Sequence, residues 1–284
     1  MKYVFFGTPE FAATVLEKLI HAGLPPVAVV CNPDRPVGRK KLVTPPPTKV
    51  LAESHHDLGI RVLQPENLRN FDGALKELEP EFCIVAAYGK IIPPSILAVP
   101  PRGTIGVHPS LLPKYRGASP IQTAILNGDP VTGVTLFLVD AKLDHGEILS
   151  VAEQPLRGTE TYIELERILA ELGADLCVKT LPTFLAGKLT GVEQNEAAAT
   201  PTKKFETQDG FIEWDYVRAA RAGSAPEMAA IVDRRIRALN PDPGTWTLEQ
   251  PGNARMKLLE AKLVDGRLTL MTIQYAGEKP KPAL

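Results

Sequence analysis

The feature that most constrains the fold is an early alternation between short apolar runs and a segment with helical spacing. KYVFFG and PVAVVC have the length and apolar character of buried strands. Between them, TPEFAATVLEKLIHAG ends at Gly23, a residue type favoured just after a helix. Its apolar residues share one helical face: Phe11, Val15, Leu16, Leu19 and Ile20. The β-α-β order predicts a parallel sheet with right-handed crossovers.

The same alternation continues through the first two thirds of the chain. It predicts strands in RVLQP and GTIGVHP, a helix running into a strand in GALKELEPEFCIVAAYG, and helices in KVLAESHHDLG, SPIQTAILNG and TYIELERILAELGADLCVKTLPTFLAG. TGVTLFLVD and GEILSVAEQPL are predicted as strands that pair with each other. Residues 32–50 contain too much proline for a helix or a central strand and are predicted as one long loop.

A change in composition divides the chain. Residues 188–206 are polar, rich in Ala and Thr and weakly patterned, which favours a linker. Beyond it, GFIEW, TWTLEQ, ARMKLLEAKLV and RLTLMTIQ predict short strands, APEMAAIVDRRIRAL predicts a helix, and the tail GEKPKPAL adds no closing element. We therefore expect an α/β domain over residues 1–188, a linker over 189–206 and a small β-barrel domain over 207–284.

Composition argues against several classes of site and partner. The formal net charge of −1 gives no global field that would attract nucleic acid. The three cysteines are far apart and odd in number, which argues against a disulfide framework or a zinc knuckle and fits a reducing compartment. No run approaches the roughly 20 apolar residues of a membrane span, and no G-x-G-x-x-G follows the first strand. We expect a monomeric, cytoplasmic protein with no leader segment, membrane contact or metal.

Local charge is concentrated in the predicted loop over residues 32–50. It carries five cations against the single acid Asp34. The cations are Arg35, Arg39, Lys40, Lys41 and Lys49. One interpretation is a solvated loop with incidental charge. Three adjacent cations in a loop stiffened by proline favour a phosphate-bearing partner instead.

His108 and Asp144 are the candidate catalytic pair. Each follows or ends a predicted strand, where open α/β sheets place their ligand crevice. A carboxylate beside an imidazole orients it and suits it to general acid catalysis or to electrostatic stabilisation. The alternatives are a purely structural histidine at 108, or His145 in its place, although DHG indicates an exposed turn there.

Six segments, taken together, resemble one known family. FFGTPEFA, NPDRPVGRKK, VAAYGKIIP, HPSLLPKYRGASPIQ, TGVTLFLVDAKLDHGEIL and RALNPDPGTW occur in that order. They closely resemble methionyl-tRNA formyltransferases from residue 2 to about residue 277. The SLLP and YRG block alone indicates only the wider folate-dependent formyltransferase superfamily. The basic loop and the ALNP segment point to the tRNA branch.

The resemblance implies a fold, a reaction and a set of residues. The fold is a Rossmann-like catalytic domain with a mostly parallel sheet, followed by a small OB-like β-barrel. The reaction moves a formyl group from 10-formyltetrahydrofolate to the methionine amino group of initiator methionyl-tRNA. The family's catalytic His and Asp correspond to His108 and Asp144. Folate contacts are implied for Ser110, Leu111, Leu112, Pro113, Tyr88, Gly89, Ile92, Val139 and Asp140, and tRNA contacts for Arg35, Arg39, Lys40 and Lys41.

The chain departs from the family at three places. The family's catalytic Asn, two residues before its His, is replaced here by Gly106. The basic loop is one residue shorter than the usual spacing, and the family's C-terminus usually continues further, which predicts a barrel without its last element. A lost hydrogen-bond donor at the formyl oxygen typically costs about 10²–10³ in rate, so Gly106 predicts weakened catalysis with binding retained.

Two other functions remain open on this sequence. One is a formyltransferase that acts on an amino-sugar nucleotide, which would share the folate crevice but has no need of the basic loop. The other is a catalytically silent folate- or tRNA-binding homologue, which Gly106 favours and the intact His108 and Asp144 disfavour.

Overall fold

The computed structural model describes residues 1–38 and 41–283. The chain divides into two compact units. Unit 1 comprises Met1–Arg116, Gly133–Gln154 and Glu166–Pro201, and unit 2 comprises Gly117–Thr132, Pro155–Leu165 and Thr202–Leu284. The domain boundaries expected from composition, at residues 188 and 206, stay a prediction.

The secondary structure alternates in the first part of the chain and is mainly β at the end. The strands are β1 (Tyr3–Gly7), β2 (Ala28–Val30), β3 (Arg35–Val37), β4 (Leu42–Thr44), β5 (Arg61–Leu63), β6 (Phe82–Ala86), β7 (Thr104–His108), β8 (Arg116–Gly117), β9 (Val131–Leu138), β10 (Ile148–Pro155), β11 (Pro201–Thr202), β12 (Trp246–Glu249), β13 (Ala254–Val264), β14 (Arg267–Tyr275) and β15 (Lys281–Pro282). The helices are α1 (Glu10–His21), α2 (Pro47–Ser54), α3 (Asp72–Lys76), α4 (Pro94–Leu97), α5 (Pro120–Asn127), α6 (Tyr162–Leu185), α7 (Trp214–Ala222) and α8 (Pro226–Leu239).

A seven-stranded sheet forms the centre of unit 1. Its order is β10-β9-β7-β6-β1-β2-β5. Five neighbouring strands run parallel to one another, in the sheet order β5-β2-β1-β6-β7. Strand β9 runs antiparallel to β7. The predicted α/β class with a mostly parallel sheet is confirmed, as is the predicted pairing of β9 with β10. The carboxyl ends of β1, β2, β6 and β7 therefore meet at one edge of the sheet.

Burial on both faces explains why β1 lies in the middle of this sheet. Val4 and Phe6 belong to a core cluster together with Ala28 and Val30 of β2. On the other face, Tyr3 stacks on Phe82 with ring centroids 5.2 Å apart. Helix α1 buries all five of the apolar residues predicted for its inner face. Each fully buried side chain of this size contributes about 1.5–3 kcal/mol.

The segment after β2 differs from its prediction. Residues 32–50 were expected to form one long loop, but β3 and β4 pair as an antiparallel hairpin and α2 begins at Pro47. The prolines do not prevent this, because a two-stranded ribbon has only edge strands, where a missing N–H is tolerated. Pro47 occupies the first turn of α2, where its N–H would have no partner in any case.

An antiparallel sheet forms the main part of unit 2. Its order is β12-β13-β14-β15. Its buried face holds Met256 and Leu258 of β13 and Leu268 and Leu270 of β14, in a cluster with residues of α7 and α8. Helix α5 also packs against α8. The predicted antiparallel β unit at the C-terminus is confirmed.

Two predictions in unit 2 were wrong in detail. GFIEW does not form a strand, since Phe211 makes only an isolated bridge to Trp246 and Trp214 begins α7. The alternation of apolar residues in GFIEW resembles that of a strand, whereas Val217 and Ala220, which the segment does not include, carry the helical face. The tail does add an element, because Lys281 and Pro282 pair with β14.

Residues 188–201, in the region predicted as a linker, make ordered contacts within unit 1. Val192 and Ile148 exchange two backbone hydrogen bonds of 2.8 and 2.9 Å. A short 3-10 helix follows at Glu196–Ala198, capped by the side chain of Asn195. The segment's Ala and Thr content concealed these contacts, because most of them are made by the backbone and by single polar side chains.

The three cysteines lie in the protein interior. Cys31, Cys83 and Cys177 are all free and buried. Burial raises the pKa of the Cys83 thiol to about 12, which makes it a poor nucleophile at neutral pH. Within the described parts of the chain, no helix has both the length and the apolar character to cross a bilayer. The same residues include no group of three or more His, Cys, Asp or Glu side chains arranged to hold a metal ion.

Candidate active site

His108 ends β7 and is held from two sides. Its imidazole Nε2 lies 2.9 Å from the backbone carbonyl oxygen of Tyr115. Its Nδ1 lies 3.6 Å from Oδ2 of Asp144. The side chain of His108 is only 8% exposed and that of Asp144 18%. The structure therefore brings together the two residues that the sequence indicated as a catalytic pair, although they lie far apart in the chain.

The Tyr115 carbonyl fixes the location of the imidazole hydrogen. A carbonyl oxygen can only accept, so Nε2 carries a hydrogen and donates it. Nδ1 is then the nitrogen that faces the Asp144 carboxylate. A proton on Nδ1 makes this contact an ion pair, whereas a bare Nδ1 would face another acceptor. The Tyr115 carbonyl and the Asp144 carboxylate together fix the orientation of the imidazole.

Backbone strain lies on both sides of His108. Tyr115 has φ of 63° and Asp144 has φ of 47°, both in the left-handed region that non-glycine residues rarely adopt. Such residues cost about 1–3 kcal/mol each, and their surroundings must hold them. The Tyr115 N–H donates to Thr200 Oγ1 at 2.9 Å, and the Asp144 carbonyl accepts from Gln194 at 3.0 Å. The contacts that position the pair thus come partly from the chain beyond α6.

An aromatic ring packs against the backbone of Gly106. Gly106 lies opposite Phe137 in the β7–β9 register. A Cβ on Gly106 would lie 2.3 Å from Cε1, 2.6 Å from Cζ and 3.0 Å from Cδ1 of Phe137. Phe137 is 3% exposed and also makes an edge contact with the His108 ring, with centroids 6.5 Å apart. The ring of Phe137 therefore occupies the space that a side chain on residue 106 would take.

The predicted folate segment Ser110–Pro113 forms a tight turn after β7. Ser110 is fully buried, and its Oγ donates to the carbonyl of Lys114 at 2.6 Å. Thr135 of β9 bridges the turn, because its hydroxyl donates to the Ser110 carbonyl and accepts from the Leu112 N–H. Leu112 is buried, and the peptide bond to Pro113 is cis. Leu111 and Pro113 are half-buried, so these two residues present the accessible surface of the turn.

Tyr88 and Gly89 follow β6, the parallel neighbour of β7, at the same edge of the sheet. The side chains of Tyr88 and Ile92 pack in the core cluster, and burial raises the pKa of Tyr88 to about 12. Gly89 is exposed, has φ of 78°, and has only Asn32 Nδ2 within 4 Å of a Cβ placed on it. The backbone at Gly89, rather than the side chains of Tyr88 and Ile92, is therefore the part open to a ligand.

Val139 and Asp140 lie at the other end of β7. Because β9 runs antiparallel to β7, the Val139 N–H donates to the carbonyl of Thr104, at the beginning of β7. Asp140 accepts from His145 Nδ1 at 2.6 Å, a residue that the sequence analysis had kept as an alternative to His108. His145 lies 3.5 Å from Glu196 and is partly exposed. The loop between β9 and β10 returns to bring only Asp144 to His108.

Two of the four predicted tRNA-contacting cations, Arg35 and Lys41, lie in the segment of β3 and β4. Arg35 and Lys41 are exposed there, while Arg39 and Lys40 lie outside the described residues. Lys49 differs from the other cations of this segment, because it lies on α2 with its ammonium 2.9 Å from Asp34 and 3.0 Å from Gln64. Hydrogen bonds from Gln64 and Lys49 lower the pKa of Asp34. Lys49 therefore lies on a helix and not in a loop, while its role as a phosphate contact stays a prediction.

Three residues near His108 and Asp144 were missed by sequence reasoning. They are Tyr115, Phe137 and Gln194. The carbonyl of Tyr115 is a backbone group that any residue type supplies, and Phe137 reads as an ordinary buried strand residue. Gln194 lies in the weakly patterned segment. The register of β7 with β9 places the large side chain of Phe137 opposite Gly106, and the sequence does not show this register.

The sequence matches one family. The family model described as formyl transferase matches residues 1–181. The methionyl-tRNA formyltransferase of Synechococcus sp. (strain JA-3-3Ab) is 44% identical over 304 aligned residues, which cover all of this chain and 94% of the relative.

Two solved structures share the fold. The methionyl-tRNA formyltransferase from Clostridium thermocellum has a TM-score of 0.62 at 16% identity, with 97% of this chain and 99% of that chain covered. An N-formyltransferase from Helicobacter canadensis, in complex with folinic acid and dTDP-3-aminofucose, has a TM-score of 0.63 at 17% identity, with 93% and 88% covered. At these identities the structures show the fold alone, whereas the identity and coverage of the Synechococcus relative show the family: the chain belongs to the methionyl-tRNA formyltransferases, a family of one-carbon group transferases.

Proposed function

We propose that this chain is a monomeric cytoplasmic enzyme that transfers the formyl group of 10-formyltetrahydrofolate to the methionine amino group of initiator methionyl-tRNA. The observation that carries the proposal is the His108–Asp144 pair, buried and oriented by the Tyr115 carbonyl. Membership in the family supports the reaction and its two substrates. The hairpin cations support the RNA partner, since exposed Arg and Lys side chains contact phosphates.

The residues beside the pair fit a folate-type co-substrate. The exposed backbone at Gly89 and the surface of Leu111 and Pro113 lie at the end of adjacent parallel strands, where α/β sheets bind ligands. Space beside Gly89 is open, which allows a flat ring to approach the backbone closely. The bound folate supplies the formyl group.

The chain's own groups act on charge and protons. As the methionine amine attacks the formyl carbon, one C–N bond forms and negative charge develops on the formyl oxygen. His108 holds a proton at Nδ1 that can stabilise this oxygen or pass to the departing folate nitrogen as the second C–N bond breaks. The proton lost by the attacking amine restores the one that His108 gives up. Asp144 keeps the imidazole oriented and stabilises its charged form.

Gly106 lowers the rate of formyl transfer at this site, while His108 and Asp144 are retained. A carboxamide at residue 106 would donate a hydrogen bond to the formyl oxygen, and such a donor is worth about 10²–10³ in rate. The Phe137 ring cannot donate in this way, and it also keeps water out of the position. We therefore propose turnover below that of a centre that has the amide, with the binding of folate and tRNA preserved.

The test is single-turnover formyl transfer with methionyl-initiator tRNA and, in parallel, with an amino-sugar nucleotide. The parent chain is compared with His108→Ala, and Lys188→Ala serves as control because Lys188 is exposed. The expected result is formyl-methionyl-tRNA from the parent and from the control, with the rate lowered about 10²–10⁴-fold by His108→Ala. Product from the sugar nucleotide alone, or binding of folate with no transfer to either acceptor, would overturn the proposal.

A further inference from the structure

The side chain of Gln194 connects the loop that carries Asp144 to the strand that follows Tyr115. Its Nε2 donates to the carbonyls of Asp144 at 3.0 Å and of Gly146 at 2.8 Å. Its Oε1 accepts from Arg116, at 3.0 Å from Nε and at 2.7 Å from Nη2. Both ends of this half-buried amide are therefore engaged, which is a demanding arrangement for a residue in a weakly patterned segment.

Arg116 links Gln194 to the backbone segment that contacts His108. It immediately follows Tyr115, whose carbonyl oxygen accepts from the His108 ring. The Arg116 guanidinium also donates to both carboxylate oxygens of Glu196. The backbone N–H of Arg116 donates to the backbone carbonyl of Thr200 at 2.9 Å. The Gln194 amide thus contacts the backbone of Asp144 directly. It is also connected to Tyr115, whose carbonyl accepts from His108, through the side chain of the next residue, Arg116.

The Asp144 turn has a particular need for such a contact. Asp144 has φ of 47°, a conformation that costs free energy, and its carbonyl accepts from the Gln194 amide. Gly146 packs so closely against β9 that a Cβ there would overlap the carbonyl oxygen of Leu138. The Gln194 amide accounts for the carbonyls on both sides of His145, so the turn is fixed at Asp144 and at Gly146.

We propose that Gln194 is a positioning residue for formyl transfer, which holds the Asp144 carboxylate at the distance from His108 that the reaction requires. The inference rests on the proposed function. Displacing a catalytic group by about 1 Å can cost roughly 10²-fold in rate. Gln194 itself touches no reacting atom, so its loss lowers kcat and leaves the KM for folate and for tRNA within about threefold.

Two variants distinguish the hydrogen bonds that the Gln194 amide donates from those that it accepts. Gln194→Met keeps the length of the side chain, adds no charge and removes every hydrogen bond. Gln194→Glu keeps an acceptor for Arg116 and loses both amide hydrogens, so it breaks only the contact with the Asp144 turn. Asn195→Ala is the matched control, because Asn195 is exposed and its side chain accepts from Ala197 within the 3-10 helix.

The experiment measures kcat, KM, melting temperature and the ¹⁵N signals of the His108 imidazole. We expect kcat to fall about 10- to 100-fold in both Gln194 variants, with a displaced Nδ1 signal and with melting temperatures close to the control. An unchanged kcat and unchanged His108 signals in Gln194→Glu overturn the inference, as does a loss confined to melting temperature. If the parent chain transfers no formyl group, the proposed function fails, while the ¹⁵N signals still decide whether Gln194 positions the pair.

Discussion

Phe137 faces Gly106 across the β7–β9 pair, and its ring stands where any side chain on residue 106 would begin. The two residues therefore pack as a complementary pair, because the small residue leaves room for the large one at the directly opposite position. Restoring the family's amide at residue 106 requires that the ring be moved, because packed cores accommodate extra atoms only with strain. The absence of a side chain at Gly106 and the buried ring of Phe137 therefore depend on each other in packing.

Gly106→Asn alone is expected to destabilise the chain without restoring the missing donor. Its Cβ would lie within 3.0 Å of three ring atoms of a nearly buried phenylalanine. Overpacking of this kind costs about 1–3 kcal/mol. Urea unfolding of the variant, followed by circular dichroism, measures the cost, and single-turnover kinetics should show no gain in rate.

Gly106→Asn combined with Phe137→Val is the matched comparison. Valine suits a strand and has no atoms at the positions of the ring's Cδ1, Cε1 and Cζ. The double variant is expected to regain much of the stability lost by Gly106→Asn and to transfer formyl about 10²-fold faster than the parent. A full gain in rate from Gly106→Asn alone would show that the ring is no obstacle.

Asp144→Asn is expected to lower the single-turnover rate about 10²–10³-fold. The change preserves the size of the side chain but removes the charge that faces His108 Nδ1 at 3.6 Å. Folate affinity, measured by fluorescence titration, should stay within about threefold, because Asp144 acts on the proton rather than on the ring system. A parallel loss of affinity would instead place Asp144 in direct contact with the folate.

Arg35→Ala with Lys41→Ala is expected to weaken the salt dependence of tRNA binding. Both residues are exposed on the hairpin that we propose as an RNA contact. Removing two phosphate contacts should reduce the slope of log K against log salt by about 2 in magnitude. Filter binding over a range of salt concentrations measures this slope, with Lys188→Ala as control, and an unchanged slope would exclude these two cations from the interface.

Glu160→Gln is expected to destabilise the chain near neutral pH and to have little effect in acid. Burial alone would raise the pKa of Glu160, but hydrogen bonds from Arg157, Gly158 and Thr159 outweigh it and hold the pKa below its ordinary value of 4.5. The folded state therefore binds this proton less tightly than the unfolded state does. The stabilisation is complete above about pH 4.5 and is lost as pH falls through the folded-state pKa.

Melting temperatures of parent and Glu160→Gln, measured between about pH 7 and pH 3, check this dependence. The two curves should converge in acid. Glu153→Gln is the control, since Glu153 is exposed on β10. A difference between parent and Glu160→Gln that stays constant with pH would mean that the charge of Glu160 does not contribute.

Periodicity predicted the elements whose burial is regular. Helix α1 buries all five of the residues that its spacing indicated, and the alternation of β and α segments predicted the parallel sheet. The hairpin of β3 and β4 was missed because proline content was weighed as a sign of a loop, although an edge ribbon tolerates it. The ion pair between Lys49 and Asp34 was also not predicted, since the sequence shows each charge but not its partner.

The candidate site was predictable where side chains carry the chemistry and a family resemblance identifies them. His108 and Asp144 were predicted in this way, and the structure brings them together. The orienting group on His108 is a backbone carbonyl, which no residue type marks. Phe137 and Gln194 act through contacts between segments far apart in the chain, and such contacts follow from the register of β7 with β9 and from the course of the chain after α6.

The contacts of Gln194 have a consequence for the order in which the site is made during synthesis. Every residue proposed to touch the reacting groups has left the ribosome once Asp144 has. Gln194, whose amide holds the Asp144 turn, is synthesised 50 residues after Asp144. A nascent chain that stops before Gln194 contains all seven strands of the central sheet but lacks the amide that holds the Asp144 turn. The centre is therefore completed by a late part of the chain, so that incomplete products hold the catalytic side chains without the geometry that makes them active.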